Sequence, residues 1–353
     1  MTDFYEQQNC KFSIKKLIFL HKKSQMHLLT IQNLHKSFKT KKAVNNISLS
    51  IEKGEVLAIL GESGSGKTTL LHLIAALYEP DSGMLTLDNE RITPPSEKLI
   101  AGHPAIKLVR QDYGLFPNMS IRENIAYELR YYEENYRNKR IDKLLKISGL
   151  IKVQTNLPRQ VSGGEQQRAV IVKAIAEQPK LLLLDEPFSH LDTLNKRKLK
   201  NEILHIIKDE GVTCVFVTHD VADAYGMADR LAIMQKGKIL QIGKPEEVYQ
   251  HPTNQYVAEI TGDVQSDEYR VKSSELSKYN TLNALNSTLI THLRPQQIRV
   301  SNTSDIKAIV ESIKFLGAYY EVILKIDDLT LKMYSFDKIQ VGQEIGIEIK
   351  SLS

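Results

Sequence analysis

The chain has 353 residues, 42% of them hydrophobic and 25% charged, a balance that fits a soluble globular protein and excludes a disordered or membrane-embedded one. Its apolar runs fall far short of the roughly 20 residues a bilayer-crossing helix requires, so any membrane role has to come through a partner. A net charge of +5 is only mildly basic and spread over scattered lysines, so no nucleic-acid partner is expected. Cys10 and Cys214 lie far apart without metal-ligand spacing, which points to a reduced, cytoplasmic compartment. The length predicts two or three structural units.

Residues 1–25 read unlike the rest, with Lys11, Lys15, Lys16, Lys22 and Lys23 around a brief apolar patch from Leu17 to Leu20. That patch is too short for a secretory signal and no small-residue cleavage site follows it. It reads as a poorly ordered N-terminal extension, a basic membrane-touching arm being the other reading, and both Met1 and Met26 are open as the start. A first strand is expected from His27 to Leu34, and Phe38 follows it. An aromatic just ahead of a phosphate loop can stack on a base, and it can equally be a core residue.

A second strand, Ile47 to Ile51, and a bend at Gly54 lead into the β-branched run Glu55 to Ile59. Next comes Gly61-Glu62-Ser63-Gly64-Ser65-Gly66-Lys67-Thr68-Thr69, and then the helix-forming Leu70 to Leu77. A G-x-x-x-x-G-K-[ST] pattern on a strand-to-helix turn is a phosphate loop: its glycines let backbone N–H groups curl around phosphate oxygens. The helix N-terminus adds partial positive charge, Lys67 neutralises the β- and γ-phosphates, and Thr68 offers its hydroxyl to Mg²⁺.

Strands are expected at Met84 to Asp88 and Lys107 to Tyr113, and Ser120-Ile121-Arg122-Glu123 has the form of a helix-capping box. From there to about Gln178 the pattern is helical and charged, and Tyr127 to Arg140 reads as a solvated helix face. Within it, Val161-Ser162-Gly163-Gly164-Glu165-Gln166 places a serine and two glycines directly ahead of a helix. That is either a second anion-binding turn or simply a well-capped helix. Leu181 to Leu184 reads as a central strand buried on both faces, and it ends in Asp185 and Glu186. At the carboxyl end of such a strand Asp185 can hold Mg²⁺ through water, and Glu186 can orient or deprotonate the attacking water. Another buried strand, Thr213 to Thr218, delivers His219 to the same edge, where it can bond the γ-phosphate. A strand pair, Arg230 to Met234 and Lys238 to Ile242, and a short helix from Pro245 close the unit.

In this order the motifs resemble the ATP-binding subunit of ABC transporters, from about Leu28 to Gly262. The resemblance implies an α/β fold, a P-loop ATPase domain over residues 26–262 with a helical subdomain at about 115–178. It implies that Phe38 stacks on adenine, that Gly61 to Thr68 form the Walker A loop, and that Asp185 and Glu186 are the Walker B and catalytic carboxylates. It further implies that Gln111 reaches Mg²⁺ and the attacking water, that Ser162 to Gln166 form the family signature, that Ser189 to Asp192 join two subunits, and that His219 is the switch histidine. Val161 and Glu165 depart from the usual Leu and Gln of the signature; Glu165 adds a negative charge near the partner's nucleotide. The family geometry implies a head-to-tail homodimer with each ATP between one phosphate loop and the other copy's signature.

A polar linker, 263–288, precedes a β-rich segment, 289–353, beginning near His292-Leu293-Arg294-Pro295. Tyr320, Val322, Leu324 and Ile326 share a face by period two, as do Ile345, Ile347 and Ile349. The segment resembles the small all-β, OB-like TOBE module of importer ATPases. The expected function is therefore ATP hydrolysis coupled to solute uptake, ferric iron or polyamine first, with integral-membrane permease subunits and a solute-binding protein as partners. The expected location is peripheral, on the cytoplasmic side of the inner membrane. Two other readings are a non-transport ABC ATPase acting on nucleic acid or ribosomes, and a small-molecule kinase on the same loop; the kinase leaves the signature unexplained.

Overall fold

The computed structural model describes residues 27–110, 114–189, 193–264, 293–327 and 329–350. The N-terminal extension, Gln111, Asp192 and most of the expected linker lie outside the described residues. The chain forms two compact units, one extending to Ile239 and the other from Leu240 onward. Helices 245–250 and 255–261 thus group with the C-terminal sheet, although the sequence reading ends the ATP-binding segment at residue 262.

In the first unit, strands β1 (His27–Phe38) and β2 (Lys41–Glu52) form an antiparallel hairpin. The chain then enters β3 (Val56–Leu60), and returns through β4 (Ser82–Leu87) and β5 (Glu90–Arg91) to extend the hairpin into a sheet of order β2-β1-β4-β5. A parallel sheet is built from β3 together with β6 (Ile106–Val109), β7 (Leu181–Asp185), β8 (Thr213–Thr218) and β9 (Arg230–Gln235), in the order β9-β3-β8-β7-β6. Every residue of β3 and β8 is buried, as the continuous apolar runs require of strands covered on both faces.

Register decides where the functional loops meet. Leu60 pairs with Thr218 and Asp185 with Val217, so the carboxyl ends of β3, β7 and β8 lie at one level along one sheet edge. The loop after β3, the carboxylates ending β7 and the histidine after β8 consequently emerge side by side.

Among the described residues, six α-helices accompany these strands: α1 (Lys67–Ile74), α2 (Ile121–Glu128), α3 (Glu134–Ile147), α4 (Gly163–Ile175), α5 (Thr193–Asp209) and α6 (Val221–Ala224). Helix α2 starts at the capping box read from the sequence: Ser120 Oγ accepts from Glu123 N, and the Glu123 carboxylate accepts from Ser120 N. Helix α4 packs on α2, α5 and β6, whereas α1 packs on β2 and β7. The solvated face expected from Tyr127 to Arg140 does not extend to its last residue. Arg140 is buried because its Nε and Nη2 donate to Ala176 O and Ile175 O at the end of α4 (3.1 and 2.9 Å), while Nη1 lies 2.6 Å from Glu210 Oε2.

Strand β10 (Lys238–Gly243) carries the chain across the unit boundary. The second unit holds α7 (Pro245–Gln250), α8 (Gln255–Thr261) and a five-stranded antiparallel sheet. Its strands are β11 (Ile298–Val300), β12 (Lys307–Phe315), β13 (Tyr320–Ile326), β14 (Leu329–Ser335) and β15 (Glu344–Ile349), in the order β11-β15-β12-β13-β14. Val322, Leu324, Ile326, Ile345 and Ile347 form its core with Val310 and Leu331, on the face the period-two pattern marks. No helix among the described residues is long and apolar enough to cross a membrane.

Candidate nucleotide-binding site

The loop after β3 is shaped by atoms that leave no room for side chains. A Cβ on Gly61 would stand 2.3 Å from Met234 O, and one on Gly66 only 2.0 Å from Ala43 O. Gly66 also has a φ of +108°, which favours glycine, and it caps α1 without any side-chain bond, leaving the first N–H groups of the helix to a ligand. Gly237 N donates to Ser65 O (2.9 Å), so the turn between β9 and β10 props the loop from behind. This supporting role was not legible in the sequence, where Gln235-Lys236-Gly237 shows only a turn; the positive φ of Lys236 and Gly237 is its local trace.

Lys67 is 5% exposed and spans the loop, its Nζ donating to Gly61 O (2.7 Å) and Glu62 O (2.9 Å). Burial lowers its pKa, against the pull of Glu186, Asp185 and Glu62, which favour the ammonium. Thr68 Oγ1 donates to Asp185 Oδ1 (3.2 Å), tying the start of α1 to the end of β7. Burial raises the Asp185 pKa, a shift the Thr68 hydrogen bond and the nearby Lys67 oppose.

Glu186 sits in the left-handed region at φ 46°, a conformation that is uncommon and costly for a non-glycine residue. Its N–H donates to Val217 O (3.1 Å), and the bend aims its carboxylate at His219, whose Nδ1 lies 3.2 Å from Oε2. Ser65 Oγ is buried without a hydrogen-bond partner, a donor left for an incoming group. Two glycines that admit no Cβ, an orphan hydroxyl, a buried ammonium and free helix N–H groups together fit a nucleoside polyphosphate.

Of the other residues expected at the site, Ser63 is exposed and Thr69 half-buried in the first turn of α1. Phe38 is 45% exposed, which removes the core reading; its ring meets Tyr78 edge-on at 5.8 Å. Ser162, Gly163 and Gly164 start α4, apart from the elements that carry the phosphate loop. Glu165 turns back on that start: Ser162 N and Ser162 Oγ both donate to its Oε2 at 2.8 Å, and these bonds hold its carboxyl below the usual range. The ionised carboxylate thus caps α4 at the signature turn.

Fold and site define a P-loop nucleotide-binding protein. The family described as ABC transporter matches residues 44–189. A spermidine/putrescine import ATP-binding protein, PotA, of Nitratidesulfovibrio vulgaris is 40% identical over 242 residues, 67% of this chain and 64% of that protein. The match therefore spans a little under two thirds of that relative's length. A sulfate/thiosulfate import ATP-binding protein, CysA, of Thermosynechococcus vestitus is 37% identical over 332 residues, 91% of this chain and 96% of that protein. Among solved structures, a dimeric ATP-binding cassette in a post-hydrolysis state with ADP and Pi is 29% identical, with a TM-score of 0.52 over 61% of this chain and 98% of that one. The chain belongs to the ABC transporter family, with the import ATP-binding proteins.

Proposed function

We propose that the protein is the ATP-hydrolysing subunit of a solute importer. The observation that carries the reading is the meeting of Lys67, Thr68, Asp185, Glu186 and His219 on one sheet edge, within a glycine loop that admits no Cβ at Gly61 or Gly66. Phosphates entering the loop take Lys67 Nζ from the carbonyls of Gly61 and Glu62, and the freed ammonium neutralises them. Thr68 Oγ1 and Asp185, hard oxygen donors 3.2 Å apart, would hold Mg²⁺ together with phosphate oxygens. Among the described residues no cluster of three His, Cys, Asp or Glu stands ready for a metal, which suits an ion that arrives with its nucleotide. When bound, the ion would offset charge on the phosphates. Glu186 would accept a proton from the attacking water, and His219, whose Nδ1 lies 3.2 Å from Glu186 Oε2, would hold that carboxylate in place.

The signature turn at Ser162 starts α4, and on the family resemblance a second copy of the chain would bring that turn to the nucleotide. The dimeric relative supports this homodimer. Gln111 and Asp192 are proposed for the water and for the subunit junction on family resemblance alone. Integral-membrane permease subunits on the cytoplasmic side would dock at the groove of about 250 Å³ between β6, α2 and α4, lined by Lys107, Arg110, Glu128 and Lys173. A solute-binding protein completes the proposed system. The names of the relatives support polyamine or sulfate as the solute; they lend no support to ferric iron, and they set aside a non-transport ATPase acting on nucleic acid or ribosomes.

Glu186→Gln tests the reading: it should bind ATP as the wild type does and lose turnover by about a hundredfold or more. Turnover at the wild-type rate would remove Glu186 as the base.

A further inference from the structure

We propose that Lys41 is a second cationic contact for the nucleotide's phosphates, delivered by the same hairpin that presents Phe38. The inference rests on the nucleotide reading above and adds a residue that no part of the phosphate-loop pattern contains.

Strand β1 ends at Phe38 and β2 begins at Lys41, the two residues paired directly across a two-residue turn in which Lys39 has a φ of 52°. Directly opposed residues hold their Cβ atoms about 5 Å apart on one face. Ring and ammonium stem therefore leave the hairpin together. Lys41 Nζ ends 3.3 Å from the point where a Cβ on Gly64 would stand, in space left open because Gly64 (φ +78°) has no side chain.

The ammonium meets no counter-charge there: Lys41 Nζ makes no hydrogen bond or ion pair with any described residue. Lys36, also on the preceding strand, is by contrast bonded to Asp81 at 3.0 Å. An unpaired cation resting against the glycine turn of a phosphate loop is a place for a phosphate oxygen. Lys67 serves the phosphates from the buried side of the loop and Lys41 from the solvent side. The pairing of a flat exposed ring with this cation selects an aromatic base carrying two or more phosphates.

The test is displacement of a fluorescent ADP from the full chain by ADP and by adenosine, for wild type, Lys41→Ala and Lys41→Arg. Because the ammonium is solvent-exposed, its loss should weaken ADP by about fivefold at low salt, with the gap closing as salt screens the pair. Adenosine should compete equally well against both chains, and Lys41→Arg should stay close to wild type. Equal ADP affinity for wild type and Lys41→Ala overturns the proposal. Equal weakening of ADP and adenosine also overturns it, because the hairpin and not the phosphate contact would then be at fault. A wild-type chain that binds no ADP counts instead against the nucleotide reading itself.

Discussion

Gly66 concentrates the steric logic of the phosphate loop. Its φ of +108° and the 2.0 Å separation between its would-be Cβ and Ala43 O leave alanine no tolerable position without moving β2. Gly66→Ala should cost about 2 kcal/mol or more of stability and abolish nucleotide binding, read as a lowered melting temperature that ADP no longer raises. Lys67→Met should behave differently. It removes a charge that burial already disfavours, so the empty protein should hold its melting temperature while its response to ADP disappears. Glu165 belongs to the same scale. The sequence places a negative charge at the signature turn, and the folded chain shows what holds that carboxylate there: the N–H and hydroxyl of Ser162.

Helices α3, α4 and α5 are held to one another by charge rather than by apolar contact alone. Arg140 on α3 satisfies two carbonyls at the end of α4, and Glu210, just past α5, lies between Arg140 and Lys143, with Oε1 2.8 Å from Lys143 Nζ. The Arg140–Glu210 approach is an ion pair whose angle falls outside hydrogen-bond geometry, and both side chains are buried, at 4% and 3% exposure. Removing Arg140 strips the donor from two buried carbonyls and takes one of two cations from the buried Glu210, so Arg140→Met should destabilise the first unit by about 3 kcal/mol in a denaturant titration. Burial pushes the Glu210 carboxyl up, and the adjacent Lys143 and Arg140 cations outweigh it, leaving the pKa below its ordinary value. Its stabilising share is therefore present above the unfolded carboxyl's pKa and lost as the pH falls through the folded one. Glu210→Gln should lie below wild type at neutral pH and converge with it under acid; a constant gap across the acid range would contradict the assignment.

Which elements the sequence discloses follows from how each is buried. Strands β3, β7 and β8 show as unbroken apolar runs because both faces are covered, and α2 shows through its capping box. Arg140 does not, because nothing in a charged helical run marks which cation will find buried carbonyls on another helix. The cradle of the phosphate loop is equally silent, since Ala43 and Met234 contribute backbone oxygens, and any residue type would present those.

At the scale of the whole molecule the two units have separate internal glue. Arg294, 1% exposed, donates to Tyr249 O (2.8 and 3.2 Å), Ala258 O (3.3 Å), Thr261 Oγ1 (3.0 Å) and Asp263 O (3.3 Å), and its guanidinium lies 3.8 Å from the Tyr249 ring centre. It ties α7 and α8 to the sheet that follows. Arg294→Met should therefore lower the thermal transition of the second unit while nucleotide binding in the first persists, and calorimetry with and without ADP separates the two.

The proposed homodimer also belongs to this scale. Sedimentation of the Glu186→Gln chain with ATP and Mg²⁺ tests it most directly. The expected result is a dimer holding one ATP per chain, which falls apart when ADP replaces ATP or when Gly164→Asp spoils the signature turn. A chain that stays monomeric at saturating ATP, with the nucleotide bound, would contradict it.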